Sequence, residues 1–325
     1  LTLSTEQSNL RDVSLMSSCC QVMVYSHYLN FTKPDNPMTP FEEQQAELRK
    51  LDRDLSYNPA DPAAAKTLTP EQVSFFNDKG YLTPFRIFDE DHVDANRRYF
   101  DGLMATVADA GDGRDAYSIC GYQATCRGLY DLAVSPAILD LVEDLIGPDI
   151  VCWGTHFFCK LPGDPKRVSW HQDAPYWPLT PARSVTAWLA IDDVDRENGC
   201  MQIIPDSHRV GELVLEESAA AEQNLLDSSV VNIEQYGDPV CLELKGGEIS
   251  LHSDMLLHAS EPNLSKRRRC GLTLRYSPPS VRPYQDYEVG SILCRGTDPE
   301  GNWADIPRPP GDDPCPRPWQ TQSKE

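Results

Sequence analysis

A change of texture at Asp149 constrains this chain more than any other feature. Beyond it come DIVCWGTHFFCKL, SVTAWLAIDDV, GCMQIIP, VCLEL, GGEISLHSDMLLHAS and CGLTLRYS, short apolar or alternating runs separated by Gly, Pro, Asp and Asn. Short strands at close spacing with turn signals between them predict an all-β sandwich or barrel. The part before Asp149 reads as helical. FEEQQAELRKLDRDL (41–55) predicts an exposed helix. In LTPEQVSFFNDKGYL, Thr69 is a candidate N-cap, Pro70 takes the first helical position and Gly80 ends the helix. Further helices are expected near 90–109 and 135–146, the latter amphipathic and stopped by Gly147-Pro148. The fold class expected is mainly β with flanking helices. It divides into an N-terminal extension (1–66), a main unit (67–297) and a Pro-rich tail (298–325) that wraps the surface or frays.

Composition narrows the partners. A formal net charge of -21 over 325 residues repels a nucleic-acid backbone and an anionic membrane, so neither is expected; a small-molecule substrate is the expected partner, but the net charge says little about its site, where local charge matters more. The chain has 11 cysteines, an odd number with no CxxC pair. Scattered positions such as Cys120, Cys152, Cys200 and Cys270 predict free buried thiols and a reducing, cytoplasmic setting. No run approaches the ~18 apolar residues of a membrane span. The stretch VSLMSSCCQVMVYSHYL lacks a basic n-region and a clear cleavage site, so it is not read as a signal peptide. The residues before Met38 are expected to stand outside the globular pattern. Oligomeric state is not legible.

The chemistry gathers around VSWHQDAPYWPL. In an extended segment residues i and i+2 point to one side, so His171 and Asp173 are both able to face one metal ion. HxD alone is a common accident, and its plain alternative is a solvated pair in a loop. A second HxD, His252-Ser253-Asp254, precedes His258. Along one strand His252, Asp254 and His258 would spread too far for one ion at ~3.3 Å per residue. His171, Asp173 and a distant His258, joined by two neighbouring strands, converge better. Asp254 is then a turn residue, and His252 a core histidine or a partner of a ligand. Two imidazoles and a carboxylate on one face leave open positions, the facial triad of non-haem Fe(II) oxygenases. A keto-acid such as 2-oxoglutarate would fill two of them, and its far carboxylate needs a cation. SKRRRCGLTLRYS supplies Arg267, Arg268, Arg269 and Arg275. The run is either a solvated basic patch or, because it leads into a strand, the source of an arginine turned inward.

The blocks WHQDAPYWPL, SVTAWLAIDDVDRENGCMQIIPDSH and LLHASEPNLSKRRRCGLTLRY, in this order, resemble the phytanoyl-CoA dioxygenase family of Fe(II)- and 2-oxoglutarate-dependent oxygenases, over about Leu68 to Pro283. The resemblance implies a double-stranded β-helix, a cupin-like jelly roll with helices outside. It implies Fe(II) on His171, Asp173 and His258, with 2-oxoglutarate and O2 as cosubstrates. Arg269 then pairs with the distal carboxylate, with Arg275 as runner-up. Ser260 assists, Trp188 lies in the cosubstrate pocket, and His156 lies near a pocket-lining position. His208 is structural. The family's founding member has a lysine for the cosubstrate near the position of Cys120, and this chain has none there. Asp173 stands where related halogenases carry a small residue, so the resemblance implies hydroxylation of a C–H bond with succinate and CO2 released. Tyr122, Tyr176 and Trp177 line a pocket or pack a core. The rival readings are a ligand-binding jelly roll without catalysis, a halogenase, and a zinc site.

Overall fold

Every residue from Ile150 to Lys160 is buried. A strand covered on both faces reads as a near-continuous apolar run, and VCWGTHFFC does so for that reason. In the computed structural model, which describes residues 40–314 apart from 112–113, 118, 219–222 and 227, this strand lies near one edge of the larger of two main sheets. The expectation about residues before Met38 falls outside the described residues, as does the tail beyond Pro314.

The sheet strands in chain order are β1 (Tyr81–Arg86), β2 (Ile150–Lys160), β3 (Val168–His171), β4 (Val185–Ala190) and β5 (Met201–Ile203), then β6 (Val240–Leu242), β7 (Glu248–Ser253), β8 (His258–Ser260), β9 (Arg269–Ser277) and β10 (Ile292–Arg295). The larger sheet runs β1-β7-β4-β9-β2-β10 and the smaller β3-β8-β5-β6, with antiparallel pairing throughout. The order interleaves distant strands, as a jelly roll requires. Alternation along each strand sorts the side chains. Phe157 and Cys159 of β2, Leu272 and Leu274 of β9 and Ala187 and Leu189 of β4 face outward and share one core with helix residues such as Phe100, Leu103 and Val142. Each such buried side chain contributes about 1.5–3 kcal/mol. The opposite parity, including Phe158, Trp188, Arg269 and Thr273, faces inward toward the smaller sheet.

The helices in chain order are α1 (Pro40–Leu48), α2 (Pro70–Lys79), α3 (Glu90–Asp109), α4 (Arg127–Ala133) and α5 (Pro136–Ile146), and α2 to α5 supply the helical side of that outer core. α2 starts with a reciprocal cap: Thr69 Oγ1 accepts from the Gln72 N–H, and Gln72 Oε1 accepts from the Thr69 N–H. Gly80 ends it at φ 80°, and a Cβ there would sit 2.7 Å from the His208 ring. His208 packs behind this helix end, with its Nε2 3.0 Å from the Asn77 carbonyl.

Two expectations need correction. The helix expected over 41–55 stops at Leu48, because the following residues are drawn out along the domain: Ala182 N–H donates to Asp54 O at 2.8 Å, and Asp54 N–H to Thr180 Oγ1 at 2.9 Å. One strand, β1, precedes Asp149 and pairs with β7 through a register shift between Leu82 and Phe85. Pro84 hid it, since proline cannot join a ladder except at an edge, and β1 is an edge strand. The Pro-rich tail wraps rather than frays as far as Pro314: Trp303 is buried and donates to Val281 O, and the Asp312 carboxylate accepts from Tyr99 Oη and Gly128 N–H. The eight described cysteines are free thiols, as expected. Among the described residues no helix is long and apolar enough to cross a membrane.

The Asp144 carboxylate on α5 is buried and accepts from three successive backbone N–H groups, Lys66, Thr67 and Leu68, at 2.9, 2.7 and 2.6 Å. Leaving a buried donor unpaired costs about 1–3 kcal/mol. Asp144→Ala is therefore expected to lower unfolding free energy by about 3 kcal/mol in urea titration, with Asp144→Asn losing less. A loss below about 1 kcal/mol would contradict this account of how the segment is tied down.

Candidate metal centre and cosubstrate cavity

Pairing of β3 with β8 sets His171 directly opposite His258. Their ring centroids are 4.1 Å apart. Each ring is oriented by its own strand: His171 Nδ1 lies 2.8 Å from Ser169 O, and His258 Nδ1 2.9 Å from Leu256 O. In the neutral tautomer that donates from Nδ1 to the carbonyl, Nε2 keeps its lone pair for a metal. Burial, reinforced by neighbouring His171, holds the His258 ring well below the ordinary histidine range.

Asp173 follows β3 at the start of a short turn, Ala174–Tyr176. The turn is pinned from two sides. Ala174 N–H donates to Asp254 O at 2.9 Å, and the Arg53 guanidinium donates to Ala174 O at 3.2 Å and Trp177 O at 2.8 Å. Asp173 Oδ1 stands 3.6 Å from His171 Nε2. Burial alone would raise its pKa, but the adjoining basic groups His171, His258 and Arg275 outweigh it and hold the group below the usual carboxylate range. One ligand atom from each of His171, Asp173 and His258 lies within 4.8 Å of the others, and all three residues are buried. Two imidazole nitrogens and a carboxylate oxygen at this spacing fit a divalent iron with open positions.

The triad opens on a small cavity of about 40 Å³ between the sheets. Arg269 lines its other end. This guanidinium is 2% exposed, lies 4.9 Å over the Trp188 ring, leaves Nε without a hydrogen-bond partner, and has no acidic partner among the described residues. Its neighbours in the run face outward instead: Arg267 pairs with Asp195, and Arg268 with Asp192 and Asp101. Trp188 lies flat over Gly271, where a Cβ would come within 1.9 Å of the indole. Ser260 lines the cavity beside Arg269, and its hydroxyl accepts from Lys160 Nζ at 2.9 Å.

The structure thus gathers His171, Asp173, His258, Arg269, Ser260 and Trp188 around one cavity. His156 shares their sheet face but stops short of the cavity: it packs on Phe158 at 4.2 Å, and its Nε2 is 2.8 Å from Tyr117 O. Arg275 lines the cavity at the triad's side, over Trp153 and Trp177. Tyr122 packs in the helix-facing core, and Tyr176 and Trp177 in an aromatic cluster with Trp153 and Trp303. Asp254 is the turn residue expected, its pKa pushed up to about 7 by burial. The sequence reading missed Lys160 and Arg53. Lys160 is fully buried opposite Arg269 in the ladder and also donates to Ser260 O and Glu261 O. Counting parity forward from His156 along β2 would have placed it inside.

A family model described as phytanoyl-CoA dioxygenase (PhyH) matches residues 76–271. The peroxisomal phytanoyl-CoA dioxygenase of Bos taurus is 28% identical over 155 residues, 46% of this chain and 46% of that protein. A probable alpha-ketoglutarate-dependent hypophosphite dioxygenase of Stutzerimonas stutzeri is 30% identical over 176 residues, 51% of this chain and 60% of that protein. The matched stretch spans less than two thirds of either relative. Among solved structures, the apo form of the non-heme monooxygenase ThoJ superposes with a TM-score of 0.62 at 25% identity, over 74% of this chain and 88% of that one. The family match covers more than half of the chain and takes in the triad and Arg269, so the protein belongs to the phytanoyl-CoA dioxygenase family of iron(II)- and 2-oxoglutarate-dependent oxygenases.

Proposed function

We propose that this protein hydroxylates a C–H bond of a small organic substrate, with His171, Asp173 and His258 holding iron(II) and Arg269 anchoring 2-oxoglutarate. The observation that carries the reading is Arg269 itself. A buried guanidinium with no acidic partner among the described residues is costly, and a ligand carboxylate reaching it across a cavity from a three-ligand metal site offsets that cost. When bound, iron and 2-oxoglutarate activate dioxygen, with succinate and CO2 as co-products and one oxygen atom delivered to the substrate.

The chain's own groups supply geometry. The His171 and His258 rings, fixed through Nδ1, hold their Nε2 atoms toward one point. Asp173 takes the third position and, with it, the place a halide would need, which favours hydroxylation over chlorination. Arg269 presents a planar fork to the distal carboxylate, the Ser260 hydroxyl adds a hydrogen bond, and Trp188 walls the pocket beneath. Phe158, Val168 and Met201 keep the lining dry near the reacting atoms. A cytoplasmic setting is supported by the free thiols of the described cysteines.

Succinate formation from 2-oxoglutarate, measured with added Fe(II) across a panel of small organic acids and apolar metabolites, tests the reading. Turnover is expected in the wild type and none above background in His258→Ala. A folded wild type that never forms succinate would contradict it. Arg269→Ala is expected to raise the half-saturating 2-oxoglutarate concentration by roughly 30-fold or more, as losing one partner of a buried charge pair costs about 2–5 kcal/mol. An unchanged value would place the anchor elsewhere. Gly271→Ala, which displaces Trp188, is expected to raise the same concentration several-fold while leaving Fe(II) binding unchanged. Equal losses in both would indicate general unfolding of the site.

A further inference from the structure

A second histidine environment adjoins the triad. His252, on β7, lies opposite Thr186 of β4, which lies opposite Arg275 of β9. The three form a row across the inner face of the larger sheet, and all line the cavity. His252 is 1% exposed, yet neither of its ring nitrogens has a hydrogen-bond partner, and Thr186 Oγ1 has none either. Buried polar atoms are nearly always paired, and one left unpaired costs about 1–3 kcal/mol. A histidine serving only to fill space would be better replaced by an apolar residue.

The ring's surroundings show what it serves. His252 Nε2 is 3.9 Å from Oδ2 of Asp173, while the other carboxylate oxygen, Oδ1, is the one 3.6 Å from His171. The ring centroid is 4.9 Å from that of His258. A carboxylate ligand that binds through one oxygen leaves the other in need of a donor. Groups that supply such donors orient the ligand and tune the metal.

We propose that His252 is a positioning residue for Asp173: its Nε2–H holds Oδ2 and thereby reserves Oδ1 for the metal. The 3.9 Å gap exceeds a hydrogen bond and closes by a small rotation of the carboxylate or through one water. The inference rests on His171, Asp173 and His258 being the metal ligands.

Cobalt(II) titration of the metal-free protein, followed by visible absorption, tests it in the wild type, His252→Leu, His252→Gln and His171→Ala. Thermal midpoints of the metal-free forms are measured alongside. The expected result is a dissociation constant for cobalt raised roughly 10–100-fold in His252→Leu with an altered ligand-field spectrum, and recovery toward wild type in His252→Gln, which restores a donor. The metal-free His252→Leu protein is expected to melt no lower than wild type, because the change removes unpaired buried polar atoms. Wild-type cobalt affinity and spectrum in His252→Leu would overturn the proposal. So would a metal-free Leu variant that melts well below wild type with no recovery in Gln, which would mark a packing role. If the wild type takes up no cobalt, or His171→Ala binds as well as wild type, the triad assignment itself fails and this inference falls with it.

Discussion

The pairing of His171 with His258 across β3 and β8 is the interaction on which the rest of the site depends. Side chains in a strand alternate with a period of two, so a slip of one residue in this short ladder would turn one imidazole away from the other. The same rule governs β9, where Arg269, Gly271, Thr273 and Arg275 share the inner face. Fixing two registers therefore fixes a candidate metal triad at one end of the cavity, a cation at the other, and a tryptophan between that lies against a glycine. The outer core holds those registers: β2, β4, β7 and β9 each bury their other parity against the helices.

The cavity's interior is polar where burial is deepest, which is expensive unless each group has a partner. Lys160 and Arg269 face each other across the ladder as like charges. Lys160 Nζ is met by the Ser260 carbonyl and hydroxyl and by the Glu261 carbonyl, while Arg269 has no acidic partner among the described residues. Burial and the charge of Arg269 together push the Lys160 pKa well down. This asymmetry makes Arg269 the group that gains most from an arriving carboxylate, and it leaves Ser260 fixed from behind by the lysine.

Much of this was legible in the sequence, for physical reasons that differ by residue. Thr69, Pro70 and Gly80 mark their helix because capping is local chemistry. The strands after Asp149 announce themselves by burial on both faces. His171, Asp173, His258 and Arg269 emerge because two short motifs and a basic run stand at the ends of strands. β1 was hidden by Pro84. The extended course of residues 51–55 was hidden because it follows from contacts with residues more than a hundred positions away, such as Thr180 and Ala182. Arg53, pinning the turn after Asp173, belongs to the same class. His156 shows the limit of parity: the strand points it inward, but Phe158 stands between it and the cavity.

One cavity with a metal triad at one end and a carboxylate anchor at the other is the central claim. An anaerobic titration of the metal-free protein with Fe(II) and then 2-oxoglutarate, watching for the visible charge-transfer band of the chelate, tests it most directly. The account predicts a band in the wild type, none in His171→Ala, and one in Arg269→Ala that appears only at higher 2-oxoglutarate. No band from well-folded wild-type protein, or the same band in all three, would contradict it.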